Sequence, residues 1–139
     1  MPPGGIGGVF SFSGISVIST SVVSIMAAIE AFGERADARL PSLAIPLLST
    51  PDPEVRKAAL SALSPFPWEE VGEAVYAALA DPSWSVRRTA VGLVAGSGLP
   101  GAEVRRRLAP IAQGDPDDLV REEARRVLAE AGGTRESAP

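Results

Sequence analysis

Cysteine, histidine and asparagine are all missing from this sequence of 139 residues. Their absence removes thiol nucleophiles, disulfides, imidazole bases and the ligands from which zinc and most redox-metal sites are assembled. Aromatic residues are scarce at 5%, so a core has to be built from Ala, Val, Leu and Ile, which favours closely packed helices. Lysine is nearly absent as well, since Lys57 stands alone among 13 basic residues and the others are arginine. With 17 acidic residues the net charge is −4, and the global field repels nucleic acid and anionic membrane. No charged side chain precedes Glu30. The length suits one compact domain or a short repeat array and leaves no room for two ordinary domains.

These contrasts divide the chain into four parts. Residues 1–14 form a Gly/Pro/Ser-rich arm, expected to be flexible, and 15–33 a helix uncharged but for Glu30; residues 38–132 carry regular helical periodicity, and 133–139 read as a disordered polar tail. Within the third part a seven-residue pattern recurs as Thr50-Pro51-Asp52-Pro53-Glu54-Val55-Arg56, Asp81-Pro82-Ser83-Trp84-Ser85-Val86-Arg87 and Asp115-Pro116-Asp117-Asp118-Leu119-Val120-Arg121, at spacings of 31 and 34 residues. Downstream of each Val the small and apolar positions coincide: Ala59, Ala90 and Ala124, then Ala62, Leu93 and Val127, then Leu63, Val94 and Leu128. One helical face is thus written three times, and a second amphipathic segment precedes each pattern, so each unit is a helix pair. Thr50, Asp81 and Asp115 are expected to cap the second helices, and Pro46 and Pro110 to kink the first helices. The predicted core contains Leu43, Leu47, Leu60, Leu63, Val75, Leu79, Val86, Leu93, Val94, Leu108, Ile111, Val120, Val127 and Leu128.

The Asp-Pro-x-x-x-Val-Arg-x-x-Ala run resembles HEAT and HEAT-like repeats, the class seen in bilin-lyase-type repeat proteins, over roughly residues 38 to 131. The expected fold is all-α, a short α-solenoid of about three HEAT-like helix pairs plus an N-terminal apolar helix. The resemblance also implies a hydrogen-bonded ladder joining adjacent repeats, built from the Asp before each turn and the Arg six positions later. Matching pairs are Asp81 with Arg87 and Asp115 with Arg121; Thr50 stands where an Asp would pair with Arg56, so that rung is expected to be weaker.

In the N-terminal segment, Ile18, Val22, Ile25 and Ile29 share a helical face, and Val22 lies 33 residues before Val55, one repeat period away. The opposite face, Ser16, Thr20, Ser24 and Ala28, is small and uncharged, a surface suited to a partner protein, to a second copy, or to a membrane contact through residues 15–32. Serine-rich composition and the lack of flanking Lys or Arg weigh against a span. The arginine runs, including Arg88 and Arg106, have Glu103, Glu122, Glu123 and Glu130 as helical neighbours and read chiefly as solvated faces. Trp68 and Trp84 read as plugs at inter-repeat junctions. Glu69, Glu70 and Glu73 sit where carboxylates ordinarily serve the helix dipole, and Gly4-Gly5-Ile6-Gly7-Gly8 lacks the context of a phosphate loop. The expectation is therefore a non-catalytic, cytoplasmic protein-protein interaction or scaffold module without cofactor or metal, acting on a protein partner or as a homo-oligomer and not on nucleic acid. A membrane-tethered accessory subunit is the alternative, and an accessory of lyase-type repeat enzymes a weaker one. Candidate partner-binding residues are Ile18, Val22, Ile25, Ile29, Trp68, Trp84, Arg88 and Arg106.

Overall fold

A computed structural model describes residues 27, 29–31 and 38–137, and among these every regular element is helical. Helix α1 (Leu40–Ala44) runs directly into a 3-10 turn (Ile45–Ser49), followed by α2 (Pro53–Ala62), α3 (Trp68–Ala78), α4 (Trp84–Ala95), α5 (Gly101–Gly114) and α6 (Asp118–Ser137). Residues 27 and 29–31 are helical too, and Ile29 is buried against the same core as Leu40 and Ala44. Ile18, Val22 and Ile25 lie outside the described residues, as does most of the segment 15–33. Helix α6 continues to Ser137, so the stretch from 133, expected to be a disordered tail, has helical backbone through residue 137.

Helices α2, α4 and α6 pack side by side in chain order, and each also packs on the helix before it: α2 on the 3-10 turn, α4 on α3, α6 on α5. The reason lies in the repeated pattern. Val55, Ala59 and Leu60 on α2, and Val86, Ala90 and Val91 on α4, are fully buried, and the alanines allow neighbouring backbones close approach. Helix α6 repeats Val120 and Ala124, but the place of Leu60 and Val91 is taken by Arg125, which is exposed. The outward side of the third helix thus carries charge where the first two helices carry apolar contacts.

Two proline expectations resolve differently. At Pro46 the α-helix gives way to 3-10 geometry, whereas Pro110 sits inside an unbroken α5. The first helix is thus interrupted and not merely kinked, because Pro46 lacks the N–H that would continue the ladder one turn after Pro41 has already started it.

The core differs from the expected set at its edges. Leu43 is 49% exposed, since α1 is too short to carry its second apolar row into the interior. Leu47, Leu79, Leu93, Ile111 and Leu128 are only partly buried. Leu40, Val55, Val71, Val91 and Val104 are buried although the expected core omits them. A helix held between two neighbours and its own partner buries more than one stripe of its surface.

Candidate functional site: inter-repeat rungs and two unequal junctions

Helices α2 and α4 each open from an extended residue: Asp52 and Ser83 are their N-caps, two positions after the residues expected there. Asp81 and Asp115 instead fold the turn itself. The Oδ1 atom of each accepts the backbone N–H two residues on, from Ser83 at 2.8 Å and Asp117 at 2.9 Å. Asp117 then accepts from the N–H groups of Leu119 and Val120. An aspartate satisfies a turn or a cap with the same atoms, which is why residue type alone places the cap too early.

The rest of each carboxylate faces the preceding repeat. Arg56 donates from Nε and Nη2 to the two carboxylate oxygens of Asp81, at 2.9 and 3.0 Å, and Arg87 does the same to Asp115 at 2.9 and 3.0 Å. The third nitrogen, Nη1, donates back to the carbonyls of its own turn, Thr50 and Pro51 for Arg56, Asp81 and Pro82 for Arg87. Each guanidinium thereby ties one turn to the next, in the planar two-pronged geometry that arginine provides and lysine does not. Burial alone would raise the Asp115 carboxyl; hydrogen bonds from Arg87 and the Asp117 N–H, with the charges of Arg87 and Arg121, outweigh it and hold the group below the usual carboxylate range.

The expected pairing is therefore corrected. Asp81 pairs through its side chain with Arg56, not Arg87, and Asp115 with Arg87, not Arg121; within a repeat the contact runs from arginine to backbone carbonyl. The Arg56 rung is fully made, because its carboxylate comes from the following repeat and the Thr50 side chain is not required for it. At the third copy, Arg121 donates to the Asp115 carbonyl and closes an ion pair with Asp118 of its own helix.

The remaining candidates do not gather into one face. Trp84, the first residue of α4, is 44% exposed and plugs nothing, whereas Trp68 is partly buried. Arg88 is exposed, close enough to Glu123 for its charge to help lower that carboxyl, after the larger effect of the Arg126 hydrogen bond. Arg106 donates to Glu103 at 2.8 and 3.0 Å on an exposed helix face. Glu103 also accepts from Arg107 at 3.2 Å and from the Tyr76 hydroxyl at 3.3 Å, and the Arg107 guanidinium lies 3.8 Å from the Tyr76 ring centroid. Hydrogen bonds from Arg106 first and Arg107 second bring the Glu103 carboxyl down to about 2. This cluster ties α3 to α5.

Two surface clefts occupy equivalent places. One, of about 50 Å³, lies at the junction of α2, α3 and α4 and is lined in part by Phe66, Trp68 and Val71. The other, of about 280 Å³, lies where α4, α5 and α6 meet and is lined by Ala95, Leu99, Gly101, Val104, Val127, Glu130 and Ala131. The sequence signal for the difference is the pair Pro67-Trp68 and Pro100-Gly101, the parallel starts of the two first helices, which shows only when those helices are aligned with each other. No group of acidic side chains able to hold a metal ion occurs among the described residues, and no helix among them is long and apolar enough to cross a membrane. No protein-family model matches the chain, and no curated protein matches it.

Proposed function

We propose that this chain is a HEAT-like helical-repeat module, a short α-solenoid whose task is to bind another protein through its surface, without catalysis of its own. The observation that carries this reading is the recurrence of one device. A buried, two-pronged Arg–Asp bridge joins turn to turn at Arg56–Asp81 and again at Arg87–Asp115, with each guanidinium also bound to its own turn carbonyls. Such bridges fix the stacking angle of successive helix pairs and produce a rigid, extended surface, the property on which repeat proteins rely for recognition. The engagement of the arginines supports the same reading: Arg106 and Arg126 are engaged by Glu103, Glu123 and Glu130 on the surface, and Arg56 and Arg87 are consumed by the bridges.

The test is reconstitution. The immobilised full-length chain is expected to retain a protein from its native lysate, and that protein, purified separately, to bind the purified chain with saturable one-to-one stoichiometry in calorimetry. A folded chain that retains no protein and instead turns over a small-molecule substrate would contradict the proposal.

A further inference from the structure

The two clefts are one feature of the repeat in two states. Each lining residue of the larger cleft is matched by a lining residue of the smaller: Leu99 by Phe66, Gly101 by Trp68, Val104 by Val71, Val127 by Leu93, Glu130 by Gly96 and Ala131 by Ser97, with Ala95 and Ser64 as the seventh pair. At the first junction the indole of Trp68 lies back over Gly72, with Nε1 only 2.6 Å from where a Cβ on that glycine would sit, and its ring meets Tyr76 edge-on at 5.3 Å. At the second junction the large and small residues are exchanged. Gly101 stands in place of Trp68, Arg105 in place of Gly72, and Arg105 Nη1 lies 3.3 Å from where a Cβ on Gly101 would sit. The aromatic plug is missing, Phe66 has become Leu99, and the space opens from about 50 to about 280 Å³. A space of that size is at the small end for a ligand pocket and suits a single large side chain.

Resting on the interaction-module reading, we propose that this cleft is the receptor for a tryptophan side chain presented by a partner protein, which there completes the junction that Trp68 completes within the chain. The walls provide the apolar contact, from Leu99, Val104, Val127 and Ala131. At the rim the Glu130 carboxylate, which also accepts from Arg126 at 2.6 Å, offers an acceptor to the ring N–H of an indole. A leucine side chain offers no such donor. Buried aromatic anchors of this kind commonly dominate protein interfaces.

The probe is N-acetyl-L-tryptophanamide, titrated into the full-length chain carrying labelled Leu and Val methyl groups. Saturable shifts are expected at Leu99, Val104 and Val127, with N-acetyl-L-leucinamide binding at least several-fold more weakly. Two variants fill the space from opposite walls. Gly101→Trp combined with Arg105→Gly copies the Trp68–Gly72 arrangement, and Ala131→Phe closes it from α6, so that one of them remains informative if the other fails to fold. Each folded variant should lose the shifts and, once a protein partner is in hand, weaken its capture by about tenfold or more. Absence of shifts at these methyls, equal binding of the leucine analogue, or shifts that persist in the folded variants would overturn the proposal. Partner capture that survives both variants would overturn it while leaving the interaction-module reading intact; tryptophanamide binding in a chain that captures no protein would overturn both. Self-association abolished by Trp84→Ala would make a second copy the occupant and overturn the choice of a separate partner.

Discussion

Replacing Asp81 by Ala removes the carboxylate that receives two hydrogen bonds from Arg56 and one from the Ser83 N–H. Arg56 keeps its bonds to the Thr50 and Pro51 carbonyls, but its Nε and Nη2 are left without an acceptor on a side chain that is 11% exposed. Removal of one partner from a fully buried ion pair costs about 3–5 kcal/mol. With a tenth of each side chain still reaching water, about 2–4 kcal/mol is the appropriate range. For a chain of this size that corresponds to a fall in melting temperature on the order of 10 °C. The contrast is Arg106→Ala, whose side chain is 67% exposed and whose partner is also held by Arg107; its effect should be a small fraction of the Asp81→Ala loss. A double-mutant cycle separates the bridge from its surroundings. Asp81→Ala with Arg56→Met should cost distinctly less than the two single losses added, because the second change removes the stranded charge. Thermal and urea unfolding followed by circular dichroism supply the numbers. Additive losses for that pair, or a single-site loss below about 0.5 kcal/mol, would refute the bridge as a structural element.

Gly92 lies within α4 with nothing within 4 Å of where a Cβ would sit, so Gly92→Ala should raise stability by about 0.5–1 kcal/mol, whereas Gly72→Ala drives a methyl into the Trp68 indole and should lower it; chemical denaturation distinguishes the two signs. Leu60→Ala, fully buried, should cost about 2–5 kcal/mol, and Leu43→Ala, half exposed, less than about 1 kcal/mol in the same assay. Acid should weaken the fold in a defined window. Glu103 titrates near 4.5 when free and about 2 when folded, so its stabilising contribution is complete above about 4.5 and is lost as pH falls toward 2. Asp115 and Glu123, both also lowered, act in the same direction, and the loss should be smaller in Glu103→Gln.

The helix pairs were legible in the sequence because a repeated buried face leaves a repeated spacing: Val55, Val86 and Val120 with Ala59, Ala90 and Ala124 mark the second helices, and all six are buried. The ladder residues were legible for the same reason, but their partners were not. A spacing of six residues from Asp81 to Arg87 records that both belong to one turn; it carries no information on which neighbour the carboxylate faces. Val91 does not stand out in the sequence because its burial is imposed by packing between second helices, a contact between residues about thirty positions apart. The open cleft is hidden differently. A glycine at a helix start is unremarkable alone, and Gly101 acquires meaning only when set against Trp68 at the same point of the preceding repeat.

The most direct measurement is hydrogen exchange at the arginine Nε–H groups, resolved by NMR in the native chain and in Asp81→Ala. In the native chain Arg56 and Arg87, each bonded through Nε to a carboxylate at 2.9 Å in the neighbouring repeat, should exchange slowly, and Arg106 and Arg126 on exposed faces quickly. In Asp81→Ala the Nε–H of Arg56 should lose its protection while that of Arg87 keeps it. Loss of protection at Arg87 with Arg56 unchanged would show that the bridges close within repeats and would contradict the turn-to-turn stacking.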